Sequence, residues 1–394
     1  MGSPKDIGAT NQKLVLGQVM RQPGISRSLI GSRLNLNAAS VSRIARSLID
    51  SRLIQEVDAA EKPTGRPGRR FVGLSPRGAG GYVIGMGLNA FRQSVTLADL
   101  ENNKLAEWVS DEEPGEDGPA FMRTCVAKAA EMVAEHVATP DRLFGVGIAI
   151  AAELDAEAGI IKRAPALNWS MPIDVGKMVR ETLGVPLALE LPALAINMAE
   201  ADFGCAKDVA NVATLHCSLG FGMGVRTTDG TGAQVNFGCV LNKIPAPDGS
   251  QRLLSEVCGG LSALGEVLTS SELAQASDSR LGRHLVELVD RSRDDKALAE
   301  IFRAKGRMAA RYISLTLAVI RPEVLLLAGP LIRSPEYLAG FRTGLEEAVG
   351  MTGGPPRIDQ TSLTPTGASR LLALREHVLR GNLDLSELKS ENAG

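Results

Sequence analysis

Aromatic residues, cysteines and long apolar runs are scarce in this sequence of 394 residues. Aromatics make up only 4% of the chain. The longest apolar stretches, such as 148–152 and 324–328, are far shorter than the ~20 residues that span a bilayer. No basic segment leading into an apolar stretch marks the chain for export. We therefore expect a cytoplasmic protein with no membrane partner.

The five cysteines are odd in number and never form a Cys-x-x-Cys pair. A disulfide framework or a structural zinc site normally shows paired cysteines at short spacing. The sequence therefore predicts reduced thiols. The cysteines are Cys125, Cys205, Cys217, Cys239 and Cys258.

The net charge of −2 is distributed very unevenly along the chain. Residues 1–80 carry 13 Lys and Arg against 5 Asp and Glu, and the remaining residues carry 30 against 40. The length of 394 residues predicts two or three domains, and the composition, with 44% hydrophobic residues, is that of a globular protein. A basic head on an acidic body indicates a nucleic-acid-binding module joined to a part of the chain that does not bind nucleic acid.

Three short helices are predicted in the basic head, over 10–21, 26–34 and 38–51. Pro23 and Gly24 separate the first two, and Ser26 is a suitable N-cap for the second. The third helix has one apolar face. Its other face carries short polar groups and two arginines, which suits a recognition helix in a DNA major groove. These candidate DNA-binding residues are Ser40, Ser42, Arg43 and Arg46.

Two strands follow, over 53–57 and 71–74, with a glycine- and proline-rich connection between them. This pattern is typical of the wing of a winged helix. Arg66, Arg69 and Arg70 lie in the connection and are candidate DNA contacts, Arg66 in a narrow minor groove. The alternative is a small helical adaptor with a solvated basic linker.

From residue 82 the pattern changes to alternating strands and helices, as expected for an α/β body. Gly220, Gly222 and Gly224 alternate after a predicted strand over 212–217. Such glycines admit a phosphate or sugar close to the backbone, but tight hairpins also need them. The main predicted strands are 82–87, 94–99, 144–150, 159–161, 187–190, 212–217 and 323–328, and the predicted helices are 119–137, 172–183, 193–203, 260–274, 278–292, 295–320, 336–349 and 367–379.

Several stretches in order resemble the ROK family of repressors and sugar kinases, in particular its transcriptional-regulator branch. The resemblance covers nearly the whole chain. In the head, the resemblance rests on 10–53, which opens with Thr10-Asn11-Gln12, and on 65–67. In the body, it rests on 145–149, 164–169, 190–204 and 220–225.

The resemblance implies a winged helix-turn-helix over 1–80, followed by an actin-like, two-lobed sugar-kinase fold. The lobes are expected over 81–203 and 204–394, with the C-terminal helix returning to the first. It also implies a homodimer or tetramer that binds a palindromic double-stranded operator, because a symmetric dimer reads two half-sites.

The departures from the family's kinases indicate that this chain is not an enzyme. The family's catalytic aspartate corresponds to Pro192, which cannot accept a proton. Its sugar-binding asparagines correspond to Leu191 and Ala166, and its Asp-x-Gly phosphate motif has no aspartate at 85–89. No catalytic residue and no cofactor are therefore expected.

The family's zinc-binding loop is also missing its ligands. Asn242 stands where the family has a histidine, and 243–257 contains no cysteine, so no metal is expected. Cys239 and Cys258 are either a remnant pair of the family's zinc site or, more simply, buried thiols.

The sequence thus predicts a DNA-binding regulator, a repressor, whose body dimerises and senses a small metabolite, such as a sugar. Two alternatives remain: a ligand-free dimerisation or protein-interaction scaffold, and an active sugar kinase. The candidate effector cleft comprises Asn168, Glu190, Gly220, Gly222 and Gly224.

Overall fold

The computed structural model describes residues 4–58, 72–89, 92–110, 114–228, 234–241, 243–245, 249–348, 354–381 and 388. Its helices are α1 (Pro4–Arg21), α2 (Arg27–Leu34), α3 (Ala38–Asp50), α4 (Gly118–His136), α5 (Val175–Leu183), α6 (Pro192–Phe203), α7 (Leu254–Cys258), α8 (Gly260–Gly265), α9 (Ser270–Gln275), α10 (Asp278–Arg291), α11 (Lys296–Ile320), α12 (Pro335–Glu347) and α13 (Pro365–Ala373). Its strands are β1 (Ile25–Ser26), β2 (Ile54–Asp58), β3 (Val72–Pro76), β4 (Tyr82–Asn89), β5 (Arg92–Asp99), β6 (Lys104–Val109), β7 (Leu143–Ile150), β8 (Glu153–Asp155), β9 (Ile160–Arg163), β10 (Ile173–Asp174), β11 (Leu187–Glu190), β12 (Val212–Cys217), β13 (Phe221–Thr228), β14 (Gln234–Leu241), β15 (Lys243–Pro245), β16 (Gln251–Leu253), β17 (Val324–Ala328) and β18 (Arg357–Gln360).

The head consists of α1–α3 and a three-stranded sheet in the order β1-β3-β2. Ser26 caps α2, since its Oγ accepts a hydrogen bond from the amide of Leu29 at 3.3 Å. Asn35, in the left-handed region at φ 52°, ends α2 and allows α3 to start three residues later. The three predicted helices and the antiparallel hairpin are confirmed, although α1 begins at Pro4 instead of residue 10.

The first lobe is built on a five-stranded sheet in the order β11-β7-β4-β5-β6. The C-terminal helix α13 packs across this sheet at positions where only glycine fits. A Cβ on Gly85 would lie 2.7 Å from the backbone nitrogen of Arg370, and one on Gly147 would lie 2.1 Å from the carbonyl oxygen of Ser369. The chain therefore returns from the second lobe to the first. A π-helical turn, Leu374–Leu379, continues α13.

The second lobe has a five-stranded sheet in the order β14-β13-β12-β17-β18, with α11 and α12 packed in its core. A single helix over 260–274 was expected here, and this prediction is wrong. The structure has two short helices, α8 and α9, because Thr269 caps a new helix and Glu272 completes the capping box.

The head is joined to the first lobe by a continuous apolar core. Val19 of α1, Ile44 of α3, Ala199 of α6 and Leu374 belong to the same buried cluster. Contacts of this kind exclude a freely hinged head, since the buried apolar surface is shared by both parts.

Arg142 adds a polar connection between the same two parts. It is 4% exposed, and its guanidinium donates to the carbonyl oxygens of Ser51 at 2.8 Å, Gly80 at 3.2 Å and Leu388 at 2.8 Å. Two backbone acceptors in the head and one in the C-terminal segment thus share one buried cation of the first lobe. Within the described ranges, no helix is both long and apolar enough to cross a membrane.

Candidate nucleic-acid interface and interlobe cleft

Helix α3 is the second helix of a helix-turn-helix and presents its N-terminal half to solvent. Asn37 caps it, with its Oδ1 accepting from the amide of Ser40 at 2.8 Å. The face that packs into the head is apolar, which fixes the opposite face outward. The buried residues are Val41, Ile44, Ala45 and Leu48.

The four predicted DNA-binding residues of α3 lie together on its outer side. Ser42, Arg43 and Arg46 are exposed and Ser40 is partly exposed. Within the described part of the chain, neither arginine makes a hydrogen bond or salt bridge, so both guanidiniums remain available to a partner. Ala38 and Ala39 are also exposed at the start of the helix. The sequence analysis did not select these alanines, although small residues there permit close approach to a groove.

The wing arginines Arg66, Arg69 and Arg70 lie outside the described residues. The described hairpin ends at the Asp58–Val72 pair, the last rung of the β2–β3 ladder, from which the predicted wing connection continues.

Glu190 and its neighbours occupy the junction between β11 and α6. Burial raises the pKa of the Glu190 carboxyl, which accepts a hydrogen bond from the amide of Leu191 at 3.3 Å. Pro192 is buried as the first residue of α6, and Leu191 packs against the apolar core. Of these three side chains, only that of Glu190 can exchange a proton.

Packing against α6 explains at least one of the glycines in strand β13. A Cβ on Gly224 would lie 2.5 Å from the carbonyl oxygen of Ala193, so glycine is needed for β13 to pack on α6. Gly222 pairs with His216 in the β12–β13 ladder. Gly220 has open space around it. The nearest non-local atom to a Cβ placed there would be in Ser255, at 3.9 Å.

Asn168 ends a short 3₁₀ turn in the left-handed region at φ 57°. Among the described residues, no hydrogen bond joins it to Glu190 or to the glycine strand. The structure therefore places Gly224 against the start of α6, directly after Glu190, but gives Asn168 no direct link to either.

A different cavity of about 800 Å³ lies between the lobes, and the sequence analysis did not identify it. Burial lowers the pKa of His216 in its wall to about 4, so this imidazole is neutral at pH 7. Arg92 and Lys104 form salt bridges with Glu107 at 3.1 and 2.5 Å on the opposite wall. The lining residues include Asn89, Arg92, Lys104, Glu107, His216, Gly329, Pro330, Arg333, Gln360, Thr361, Leu363, Thr364 and Thr366.

No group of three His, Cys, Asp or Glu in the described residues is arranged to hold a metal ion. Cys258 is buried, which raises the pKa of its thiol to about 12, whereas the side chain of Cys239 lies outside the described set. The expectation of no zinc site therefore stays a prediction.

These features define a class: a winged helix-turn-helix head fixed to a two-lobed α/β body. Residues 83–238 match the ROK family. The solved structure of a "ROK family transcriptional regulator, homolog of E.coli MLC protein" covers 98% of this chain and 100% of its own, with a TM-score of 0.69 at 19% identity. A ROK glucokinase from Streptomyces griseus covers 74% of this chain, with a TM-score of 0.57 at 17% identity. The predicted fold class is thus confirmed.

The curated relatives that the chain resembles include transcriptional repressors. The DNA-binding transcriptional repressor Mlc of Escherichia coli is 22% identical over 354 residues, which is 86% of this chain and 85% of that protein. The xylose repressor of Bacillus subtilis is 26% identical over 216 residues. That match covers 55% of this chain and 54% of the repressor. The relatives named here are regulators, and the solved structures include kinases.

Proposed function

We propose that this protein is a DNA-binding transcriptional repressor that uses α3 to read a palindromic operator in the cytoplasm. The observation that carries the proposal is the outer face of α3. It presents Ser42, Arg43 and Arg46 without partners in the described part of the chain, beside two small alanines. Arginine forks and small hydroxyls are the groups that reach base edges and phosphates in a major groove. Relatives such as Mlc are named as DNA-binding repressors.

The test begins by recovering bound fragments of genomic DNA with the purified protein and sequencing them. Binding to the recovered site is then measured by fluorescence anisotropy at several salt concentrations. Arg43→Ala and Arg46→Ala are expected to weaken binding about 5- to 100-fold where they contact a base. An arginine that contacts a phosphate instead lowers the salt slope by about one.

Arg123→Ala is the matched control, because Arg123 is an exposed arginine on α4 of the body. It is expected to bind like the wild type. Equal affinity of all three variants would remove α3 from the interface. Arg66→Ala tests the proposed wing contact in the same assay and is expected to weaken binding several-fold. Alanine substitutions of Arg69 and Arg70 test the other two predicted wing contacts in the same way.

Dimerisation is proposed to use the exposed end of α11. Leu315 is 78% exposed and Val319 is 84% exposed, and the two lie four residues apart on one face of the helix. Adjacent exposed apolar side chains on a regular helix suit a contact with a second copy of the chain. Leu315→Lys with Val319→Lys is expected to yield monomers in sedimentation analysis. Met171→Lys is the control, since Met171 is also 68% exposed but lies elsewhere.

We further propose that the body senses a small metabolite, with sugars as one candidate class, and does not transfer phosphate. Pro192 stands where the family's kinases have their catalytic base, so the hydroxyl acceptor lacks activation. The 800 Å³ cavity favours ligand binding over the scaffold alternative. ATP-dependent phosphorylation of a hexose by the purified protein would contradict the non-enzymatic proposal.

A thermal-shift screen with sugars and other metabolites separates the sensing and scaffold alternatives. If a ligand stabilises the protein, Arg92→Ala in the cavity and Glu190→Gln in the predicted cleft locate its site by loss of the shift. Arg163→Ala is the control, because Arg163 forms an exposed salt bridge with Glu153 at 2.7 Å. A screen without any stabilising compound, together with unchanged operator binding, supports the scaffold.

A further inference from the structure

The junction of the head and the body is held by one buried carboxylate. Asp202 of α6 is 3% exposed. Its Oδ1 accepts from Nη2 of Arg21 at 2.5 Å, and its Oδ2 accepts from Nε of Arg375 at 2.6 Å. Nη1 of Arg226 lies 3.7 Å from Oδ1. Three guanidiniums from the head, the C-terminal segment and the second lobe therefore share a single negative charge.

This cluster carries an excess of positive charge. Glu376 forms a salt bridge with Arg375 and offsets one cation. Burial lowers the pKa of Arg226, and repulsion from Arg21 and Arg375 lowers it further against the attraction of Asp202. Arg226 is 7% exposed, so water compensates little for this repulsion.

A cavity of about 420 Å³ opens above the cluster, between the head and the body. Four cationic side chains line it, and among the described residues Asp208 is the one acidic residue in its wall. Lys207 donates to the carbonyl oxygen of Arg21 at 3.1 Å, and Arg33 donates to Oε1 of Gln18 at 3.2 Å. The lining residues are Gln18, Arg21, Gln22 and Arg33 from the head, and Ala201, Lys207, Asp208, Val209, Ala210, Arg226 and Thr228 from the body.

We propose that this junction cavity is a binding site for a small phosphate-bearing anion, distinct from the interlobe cavity. Four cationic side chains, against Asp208 in the wall and the shared Asp202 beneath it, leave an excess of positive charge that phosphate oxygens satisfy through charge-assisted hydrogen bonds. The volume lies within the range of small-ligand sites. A bound anion contacts both Arg33 of the head and Lys207 of the body, and so fixes the head on the body. Its effect on operator affinity rests on the proposed function, whereas anion binding itself does not.

Isothermal titration calorimetry of the full-length protein, without DNA, tests the site with inorganic phosphate and pyrophosphate as probes. We expect pyrophosphate to bind more tightly than phosphate. Lys207→Gln and Arg33→Gln are each expected to weaken pyrophosphate binding about five- to tenfold, because each removes one charged donor from the rim. Both residues lie outside the Asp202 cluster, so the variants are expected to fold.

Arg123→Gln is the control and is expected to bind pyrophosphate like the wild type. Absence of binding by the wild type at millimolar pyrophosphate overturns the proposal, as does binding that both rim variants retain in full. Because Lys207 belongs to the body and no DNA is present, failure here leaves the proposed operator binding untouched. Loss of operator binding by the α3 variants, conversely, says nothing about this site.

Discussion

Replacing Asp202 by Asn removes the one carboxylate that the head, the second lobe and the C-terminal segment share. The side chain keeps its size, but Arg21, Arg226 and Arg375 then have only Glu376, paired with Arg375, as a counter-charge. Because Arg375 and Asp202 have side chains only 3% and 4% exposed, their pair is fully desolvated. Removing one partner of such a pair costs about 3–5 kcal/mol. The Arg21 pair adds little, about 1 kcal/mol at most, because the Arg21 side chain is 41% exposed.

The measurement is the free energy of unfolding in urea, followed by circular dichroism, for the wild type and Asp202→Asn. Limited proteolysis of the native protein provides a second readout, because a loosened head exposes the junction. Asp208→Asn is a matched control: the same substitution at an exposed site six residues away. Asp208 has φ 67°, a conformation that asparagine tolerates well, so we expect a change within about 0.5 kcal/mol.

If Asp202→Asn costs no more than Asp208→Asn and leaves proteolysis unchanged, the shared carboxylate does not hold the junction. The reasoning that three arginines depend on it is then wrong. A large loss of stability without faster cleavage at the junction would mean that the cluster stabilises the lobes and not the attachment of the head.

Three further changes test other contacts. Gly224→Ala is expected to destabilise the second lobe by about 1–3 kcal/mol in urea, because its Cβ would lie 2.5 Å from the Ala193 carbonyl oxygen; wild-type stability would refute the packing reason for this glycine. Asn37→Ala is expected to cost about 1 kcal/mol and to weaken operator binding, because the N-cap orients α3; Asn35→Gly is its control, since glycine tolerates the left-handed conformation. Burial lowers the pKa of His216 to about 4 in the folded state, against about 6.5 in the unfolded chain. The unfolded chain therefore binds more protons between these values, and stability falls, by at most about 3 kcal/mol, as the pH drops through this window. His216→Gln is expected to flatten this part of the profile, and an unchanged slope would contradict the burial of that imidazole.

The head was predictable because its signals are local. Apolar residues three and four positions apart give the buried face of α3, and Ser26 caps the helix that begins at the next residue. Strand β6 was missed because it lies at the sheet edge and is largely exposed, so no apolar alternation marks it. The helix break before Thr269 was missed because the apolar pattern continues through it.

Neither cavity was predictable, because each joins residues far apart in the sequence. Arg21 and Asp202, for example, are separated by 181 positions, and neither lies in a recognisable motif. Gly224 was noted, but sequence alone does not distinguish a glycine that admits a ligand from one that admits a helix. That distinction depends on what lies opposite the missing Cβ, which here is the backbone of α6.

Helix α6 connects the predicted cleft to the head. It begins at Pro192, directly after Glu190, and it carries Asp202 near its other end. Its 12 residues span about 18 Å, and those from Pro192 to Asp202 are buried. A helix packed on all sides shifts as a rigid body, because its neighbours leave no room for it to bend. We therefore expect a ligand that displaces the first turn of α6 to move Asp202 as well, and with it Arg21 at the end of α1. The same helix contacts the head and begins directly after Glu190 of the predicted cleft, so the two parts are connected without a flexible linker.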